Sequence, residues 1–142
     1  MADGPAAIQE ASIERPGWDC EQWLRNFAAC VRRRDLEAGR ALCDPDILSF
    51  GTVCWRSENL DALVREQWEQ VWSATEDFDF DYETTRAVVS EGVAALLTTW
   101  TSIGFAADGA RFPRRGRATI VLHRTDDTWR AVHTHFSMDP RA

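Results

Sequence analysis

Residues 117–140, RATIVLHRTDDTWRAVHTHFSMDP, decide how this chain folds. The stretch reads as two strands joined by a tight turn at Asp126-Asp127. Ala118 to Arg124 is rich in β-branched and apolar residues, and Trp129 to Met138 alternates residue by residue. Side chains along a strand point to opposite faces in turn. Trp129, Ala131, His133, His135 and Ser137 are therefore expected on one face, and Arg130, Val132, Thr134 and Phe136 on the other. A two-residue turn pairs Thr125 with Thr128, and so sets Ile120 opposite His133 and Ala118 opposite His135. The expected patch joins Ala118, Ile120, Leu122, Ala131, His133 and His135. It is an apolar wall with two imidazoles, suited to a small-molecule cavity. The other face, with Thr119, Val121, Val132, Thr134 and Phe136, is too apolar for water and is expected to be a homodimer interface.

Working back along the chain, the period stays near two. Val93 to Ile103 is a long expected strand, with Thr98 and Trp100 on one face. Phe78, Phe80 and Tyr82 alternate with acids in another, which is expected to continue to about Val89. Residues 106–115 read as a loop, because Asp108-Gly109 signals a turn and Pro113 excludes a central strand. The Arg114-Arg115-Gly116-Arg117 run reads as a solvated edge, with Arg117 as a possible anion contact.

Further back the period becomes helical. Leu60, Leu63, Val64, Gln67, Trp68, Val71 and Trp72 hold one face of a helix capped by Ser57 or Asn59. Residues 46–53 form a short strand. Asp35 caps a brief helix. Trp23, Leu24, Phe27, Cys30 and Val31 mark a first helix, capped by Asp19 and ending near Arg34. Residues 1–17 are expected to be a flexible arm, with a turn of helix over residues 6–13. Residues 18–140 are expected to be a single domain. Helices first and strands later is an α+β order.

Composition excludes several classes. The net charge of −7 lacks the basic stripe that a nucleic-acid surface needs. No apolar run is long enough to span a bilayer, and the start lacks a signal-peptide pattern, so a cytoplasmic location is expected. Four cysteines without a CxxC spacing indicate neither zinc nor a redox pair. A His-x-His pair can ligate a metal, but His123 falls on the opposite face by parity, so no metal is expected. No cofactor is expected.

Three stretches carry a resemblance: RRDLEAGRALCDPDILSFG (33–51), LVREQWEQVWS (63–73) and VLHRTDDTWRAVHTHFS (121–137), the last with a Trp-x-x-Val-His-x-His-x-Ser pattern. Over about residues 19–140 the chain resembles the nuclear transport factor 2-like α+β cone. Within it the match is to the SnoaL-like branch, and particularly to the association (hub) domain of calcium/calmodulin-dependent protein kinase II. The resemblance implies a bent antiparallel sheet curled over three helices, a cavity between them, and subunits that dimerise through the outer sheet face. Hub pockets present arginines at positions matched here by Trp100 and Ile120. Neither is charged, which points to a flatter, more apolar ligand. Steroid-isomerase-type relatives place a carboxylate base on an early strand, where this chain offers only Asp46, at the edge.

The candidate acid–base residues are His133 and His135, since imidazole titrates near neutral pH. The alternative is that they are hydrogen-bonded structural histidines. Trp72, Phe80, Tyr82, Thr98, Trp100, Ala118 and Ile120 are candidate cavity-lining residues, or plain core. Trp55, in a loop, is a candidate for the cavity mouth. Two functions stay open: a stand-alone self-associating protein that binds a small, largely apolar ligand, or a cofactor-independent isomerase, dehydratase or cyclase using a pocket histidine.

Overall fold

The computed structural model describes residues 13–140. Most of the expected arm, including the helical turn but for Ile13, lies outside them. The described chain begins with a short strand, β1 (Ile13–Glu14). Helices α1 (Trp18–Arg33) and α2 (Leu36–Arg40) follow, then β2 (Cys43–Phe50). A third helix runs through α3 (Leu60–Leu63), a π-helical turn (Val64–Trp68) and α4 (Glu69–Trp72). The remaining strands are β3 (Thr75–Phe80), β4 (Arg86–Ser90), β5 (Val93–Phe105), β6 (Arg111–Thr125) and β7 (Thr128–Met138).

The helices form where the apolar spacing placed them. In α1, Trp23, Leu24, Phe27, Cys30 and Val31 are buried along one side. Gly17, rather than Asp19, holds its cap position, without a side-chain bond. Asp35 and Asn59 cap α2 and α3, accepting from the Ala38 and Ala62 amides. The basic run ending α1 is built into the fold. Arg32 donates to the Phe78 carbonyl at 2.8 Å, and Arg34 donates to the Trp72 and Thr75 carbonyls at 2.9 and 3.0 Å. These bonds fasten the end of α1 to β3 and to the end of α4, and the bond to Trp72 satisfies a carbonyl that the helix end leaves free.

The strands form one curved, unclosed sheet in the order β1-β4-β5-β6-β7-β2, with β3 and β4 sharing one edge of β5. Only β2 runs parallel to its neighbour, β7. The sheet wraps α1 and the third helix, so its inner face is the core. Three expectations change here. The strand expected from Phe78 to Val89 is two strands, separated by a turn at 81–85. The strand expected at 46–53 starts earlier, at Cys43. The 106–115 loop is shorter, because β6 begins at Arg111 and contains Pro113. Proline is tolerated there because β7 ends against Gly116, so Pro113 has a sheet neighbour only on the β5 side.

The largest correction concerns the closing hairpin. Asp126 and Asp127 make the two-residue turn with φ of 53° and 62°, and Thr125 pairs with Thr128 as expected. One residue is then extra on β7: Leu122 pairs with Ala131, but Val121 pairs with His133. Val132 is the bulged residue, and every side chain beyond it changes face. Ile120 lies opposite Thr134, and Ala118 opposite Phe136. Thr134 and Phe136, expected on the outer interface, belong to the inner face; His133 and His135 belong to the outer one. Past the bulge, Gly116 pairs with Met138. A Cβ on Gly116 would lie 1.8 Å from the Ser137 carbonyl oxygen, so only glycine fits this approach.

The inner face is filled by aromatic rings. Phe27 touches Trp23, Trp68, Trp72, Phe78, Phe80 and Phe136, with ring centroids 5.2–6.4 Å apart. Around them Leu24, Ile47, Leu96, Ile120, Leu122 and Ala131 are fully buried.

Candidate functional site

The wrap of the sheet leaves one aromatic-walled cavity among the rings. Its walls come from α1 (Phe27, Val31), the third helix (Gln67, Trp68, Val71, Trp72), β3 (Thr75, Phe78), β5 (Trp100), β6 (Arg114), β7 (Phe136) and Thr52 after β2. Its volume is about 40 Å³, room for a few water molecules as it stands. The tryptophans make it small: Trp68 and Trp72 stack at 4.6 Å, and Trp100 closes the sheet side.

Four polar side chains, Thr52, Gln67, Thr75 and Arg114, reach this wall with defined partners. The Gln67 carboxamide oxygen accepts from the Val53 and Cys54 amides at 2.9 and 3.0 Å, and its nitrogen donates to the Thr52 hydroxyl at 2.8 Å. Gln67 thus ties the π-helical turn to the loop after β2, and its polar capacity is largely spent on structure. Thr75 donates its hydroxyl to the Val71 carbonyl. Among the described residues Arg114 is the one ionisable residue of the lining. Its guanidinium lies over Trp100, 5.2 Å from the ring centroid, and donates to the Ser102 hydroxyl at 3.0 Å. Burial lowers its pKa.

Among the sequence-derived candidates, Trp72 and Trp100 lie in the cavity wall. Ala118, Ile120 and Phe80 are buried in the surrounding core rather than in the lining. Thr98 is buried, with its hydroxyl 2.8 Å from that of Thr85. Tyr82 stands outside the cavity. It donates to Asp79 at 2.5 Å beneath the Arg25 guanidinium, and burial pushes its pKa up.

His133 and His135 do not face the cavity, because the Val132 bulge turns them outward. His133 Nδ1 lies 2.7 Å from the Leu48 carbonyl, so that nitrogen donates and the ring braces the β2–β7 seam. Both imidazoles pack edge-on against Phe50, at 5.1 and 5.4 Å. Trp55 is 93% exposed and borders an outer hollow with Phe50, Arg56 and His135, on the other side of the sheet from the expected mouth. Arg117 is exposed on the outer face. Among the described residues no group of three or more His, Cys, Asp or Glu stands close enough to hold a metal, and no helix is long and apolar enough to cross a membrane.

Sequence reasoning missed Arg114, Phe136 and Thr52 as wall residues. A signal for Arg114 was present. Stepping back by twos from Ile120 and Ala118 through Gly116 reaches Arg114, so strand parity already puts it on the inner face. Reading residues 106–115 as loop hid that. Gln67 was visible as the one polar residue in the apolar stripe of the third helix.

Comparison with known proteins gives a consistent fold. The family model described as SnoaL-like domain matches residues 20–140. No curated protein matches the sequence. A ketosteroid isomerase-like protein from Erwinia carotovora atroseptica is similar in structure at a TM-score of 0.74 and 15% identity, covering 84% of this chain and 93% of that one. A nuclear transport factor 2-like superfamily protein from Salmonella enterica serovar Typhimurium gives 0.71 and 15%, over 82% and 86%. The association domain of C. elegans CaMKII gives 0.64 and 14%, over 84% and 92%. At these identities the likeness shows the fold alone.

Proposed function

We propose, from the premise that this chain belongs to the SnoaL-like domain family, that its cone binds a small, largely apolar organic molecule without transforming it, and that the protein self-associates. One observation carries the reading. The cavity wall is aromatic, and among the described residues its one ionisable group is a guanidinium. A guanidinium stays protonated in a protein and donates five N–H bonds, so it holds a ligand but does not shuttle a proton. An isomerase or dehydratase needs an acid–base group within hydrogen-bond reach of the reacting atom. The two imidazoles that would serve lie across the sheet. This weighs against the enzymatic alternative, which relatives named ketosteroid isomerase-like bring to mind.

Self-association is supported by the fold shared with an association domain and by the outer sheet face. That face presents Val121, Phe50, His133 and His135 beside the exposed Trp55. An aromatic and aliphatic patch of this kind favours burial against a partner.

The test of binding is to follow the tryptophan indole N–H signals by NMR during titration with neutral small organics, propionamide and benzamide. Saturable shifts confined to Trp68, Trp72 and Trp100 are expected, with Trp18 and Trp55 unmoved. Absence of saturable shifts at all three wall tryptophans would overturn the reading.

A further inference from the structure

The two imidazoles that lie beyond the Val132 bulge stand in the middle of the outer sheet face. Two rows of side chains cross that face in register. One runs Val88, Ala95, Val121, His133 and Leu48; the other runs Arg86, Leu97, Thr119, His135 and Phe50. Apart from Thr119 and the histidines, the middle of both rows is apolar. The two rings are held differently. His133 Nδ1 donates to the Leu48 carbonyl at 2.7 Å. His135 has no hydrogen-bond partner among the described residues, and its ring rests edge-on against Phe50.

The charges around them are of one sign. Over the whole chain acids outnumber bases 23 to 16, yet the charged side chains that these rows and the two beside them carry on β4 to β7 are cations. Arg86 stands at the β4 end of the His135 row. β5 carries no ionisable residue. From the flanking rows β6 brings Arg117 and His123, and β7 brings Arg130, across from His123. In the loop after β2, Arg56 and the Cys54 thiol border the hollow beside His135. The acids of the neighbouring segments are engaged or stand apart. Glu58 pairs with Arg56 and Asp139 with Arg115. Asp81 meets Thr99 on the far side of β5, and Asp46 is exposed two residues before Leu48.

Neutral imidazoles leave the middle of the face uncharged and largely apolar, with Arg86 and Arg117 exposed at its rim, where they keep their water when a second copy covers the centre. A two-fold contact repeats the same patch from both sides. Protonation then sets new cations from both copies against each other, with no acid in the central rows to meet them, and burying them costs free energy. The added proton on His133 goes to Nε2. Nδ1 keeps its hydrogen and its bond to the Leu48 carbonyl, so the β2–β7 seam holds while the surface changes charge. Resting on the reading that the protein self-associates through this face, we propose that His133 and His135 form a proton switch on that contact. The contact closes while both are neutral and opens when they are protonated, with each copy still folded.

The experiment is a dilution series by sedimentation equilibrium at pH 7.5 and pH 5.5, with near-ultraviolet circular dichroism measured beside it. The dissociation constant is expected to rise about 100-fold or more at the lower pH, about ten-fold for each of two excluded protons, with the dichroism unchanged. His133→Asn, which keeps a donor for the Leu48 carbonyl, combined with His135→Gln is expected to remove most of that rise. Equal dissociation constants at the two pH values in the wild type would overturn the switch and leave self-association standing. No association at either pH would overturn both. A rise as steep in the double variant as in the wild type would also overturn the switch, because the protons are then taken up elsewhere. Loss of the dichroism at pH 5.5 would do the same, because the change then lies in the core. If the double variant fails to fold, the wild type decides alone. The NMR titration midpoints of His133 and His135 are expected to fall as protein concentration rises, and midpoints independent of concentration would overturn the switch.

Discussion

The inner and outer faces of the β6–β7 hairpin are made from adjacent residues, yet they carry different loads. On the inner face Phe136 packs against Phe27, Phe78, Phe80 and Trp100. One residue earlier, His135 is exposed on the outer face and touches only Phe50 among the aromatic rings. The inner face is a filled aromatic interior with a small residual cavity. The outer face is a mixed surface open to a partner. What separates them is one bulged residue, Val132. The comparison teaches that a two-residue period assigns chemistry to a face only up to the next bulge.

Lengthening β7 by one residue is the strongest way to break that contrast. With the Val132 bulge kept, an alanine inserted between Val132 and His133 takes the place opposite Val121, and sends His133 and His135 inward while Thr134 and Phe136 turn out. Two imidazoles then need partners inside an aromatic core, and Phe136 leaves its cluster. The expected result is loss of the cooperative urea transition, or destabilisation by about 4 kcal/mol or more. A variant as stable as the wild type, with its near-ultraviolet circular dichroism unchanged, would show that the register past the bulge is held by the β2 seam instead.

A gentler comparison uses the two neighbours directly. Phe136→Ala is expected to cost about 3 kcal/mol, because ring contacts on several sides are lost and the rigid tryptophans cannot close the gap. His135→Ala is expected to change stability by about 0.5 kcal/mol or less, as at an ordinary surface position. Both follow from urea midpoints at unchanged slope. Equal costs would mean that the outer face is already as packed as the inner one in the protein's assembled form, which a concentration series would reveal.

The helices, the α+β order and the Asp126-Asp127 turn were legible because each rests on local chemistry. Asn59 caps the third helix by its own side chain, and the spacing of Trp23, Leu24, Phe27 and Val31 defines one helical stripe. The turn set the register correctly as far as Leu122 and Ala131. Beyond that the sequence AVHTH alternates well enough to be read either way. The choice between His133 and Thr134 for the core is made by distant partners. Thr134 finds the Ser49 hydroxyl on β2, and Phe136 finds Phe27 on α1. Tertiary partners of this kind leave no mark in a local window. The same cause misplaced the candidate site. Trp72 and Trp100 were nameable as large apolar residues on inward stripes, whereas Arg114 needed the knowledge that β6 runs through Pro113.

Cys43 offers the smallest effect and sharpens the comparison at the bulge itself. It pairs with Ala131, the last inner-face residue before Val132, and it is buried. Burial is the main cause pushing its thiol from an ordinary 9.0 up to about 12, with the nearby Cys30 and Asp44 adding to it. Between those two values the unfolded chain has released a proton that the folded chain retains. Stability is therefore full below about pH 9 and falls as pH rises, by at most about 1.4 kcal/mol per unit from this group. Cys20 and Cys30 are raised in the same direction, also chiefly by burial. Cys43→Ala should flatten part of the alkaline slope in urea midpoints measured from pH 8 to 11, leaving the share of the other two. An unchanged slope would mean that the seam between Cys43 and Ala131 opens to water at high pH before the rest of the sheet, so that the inner face ends short of its bulge.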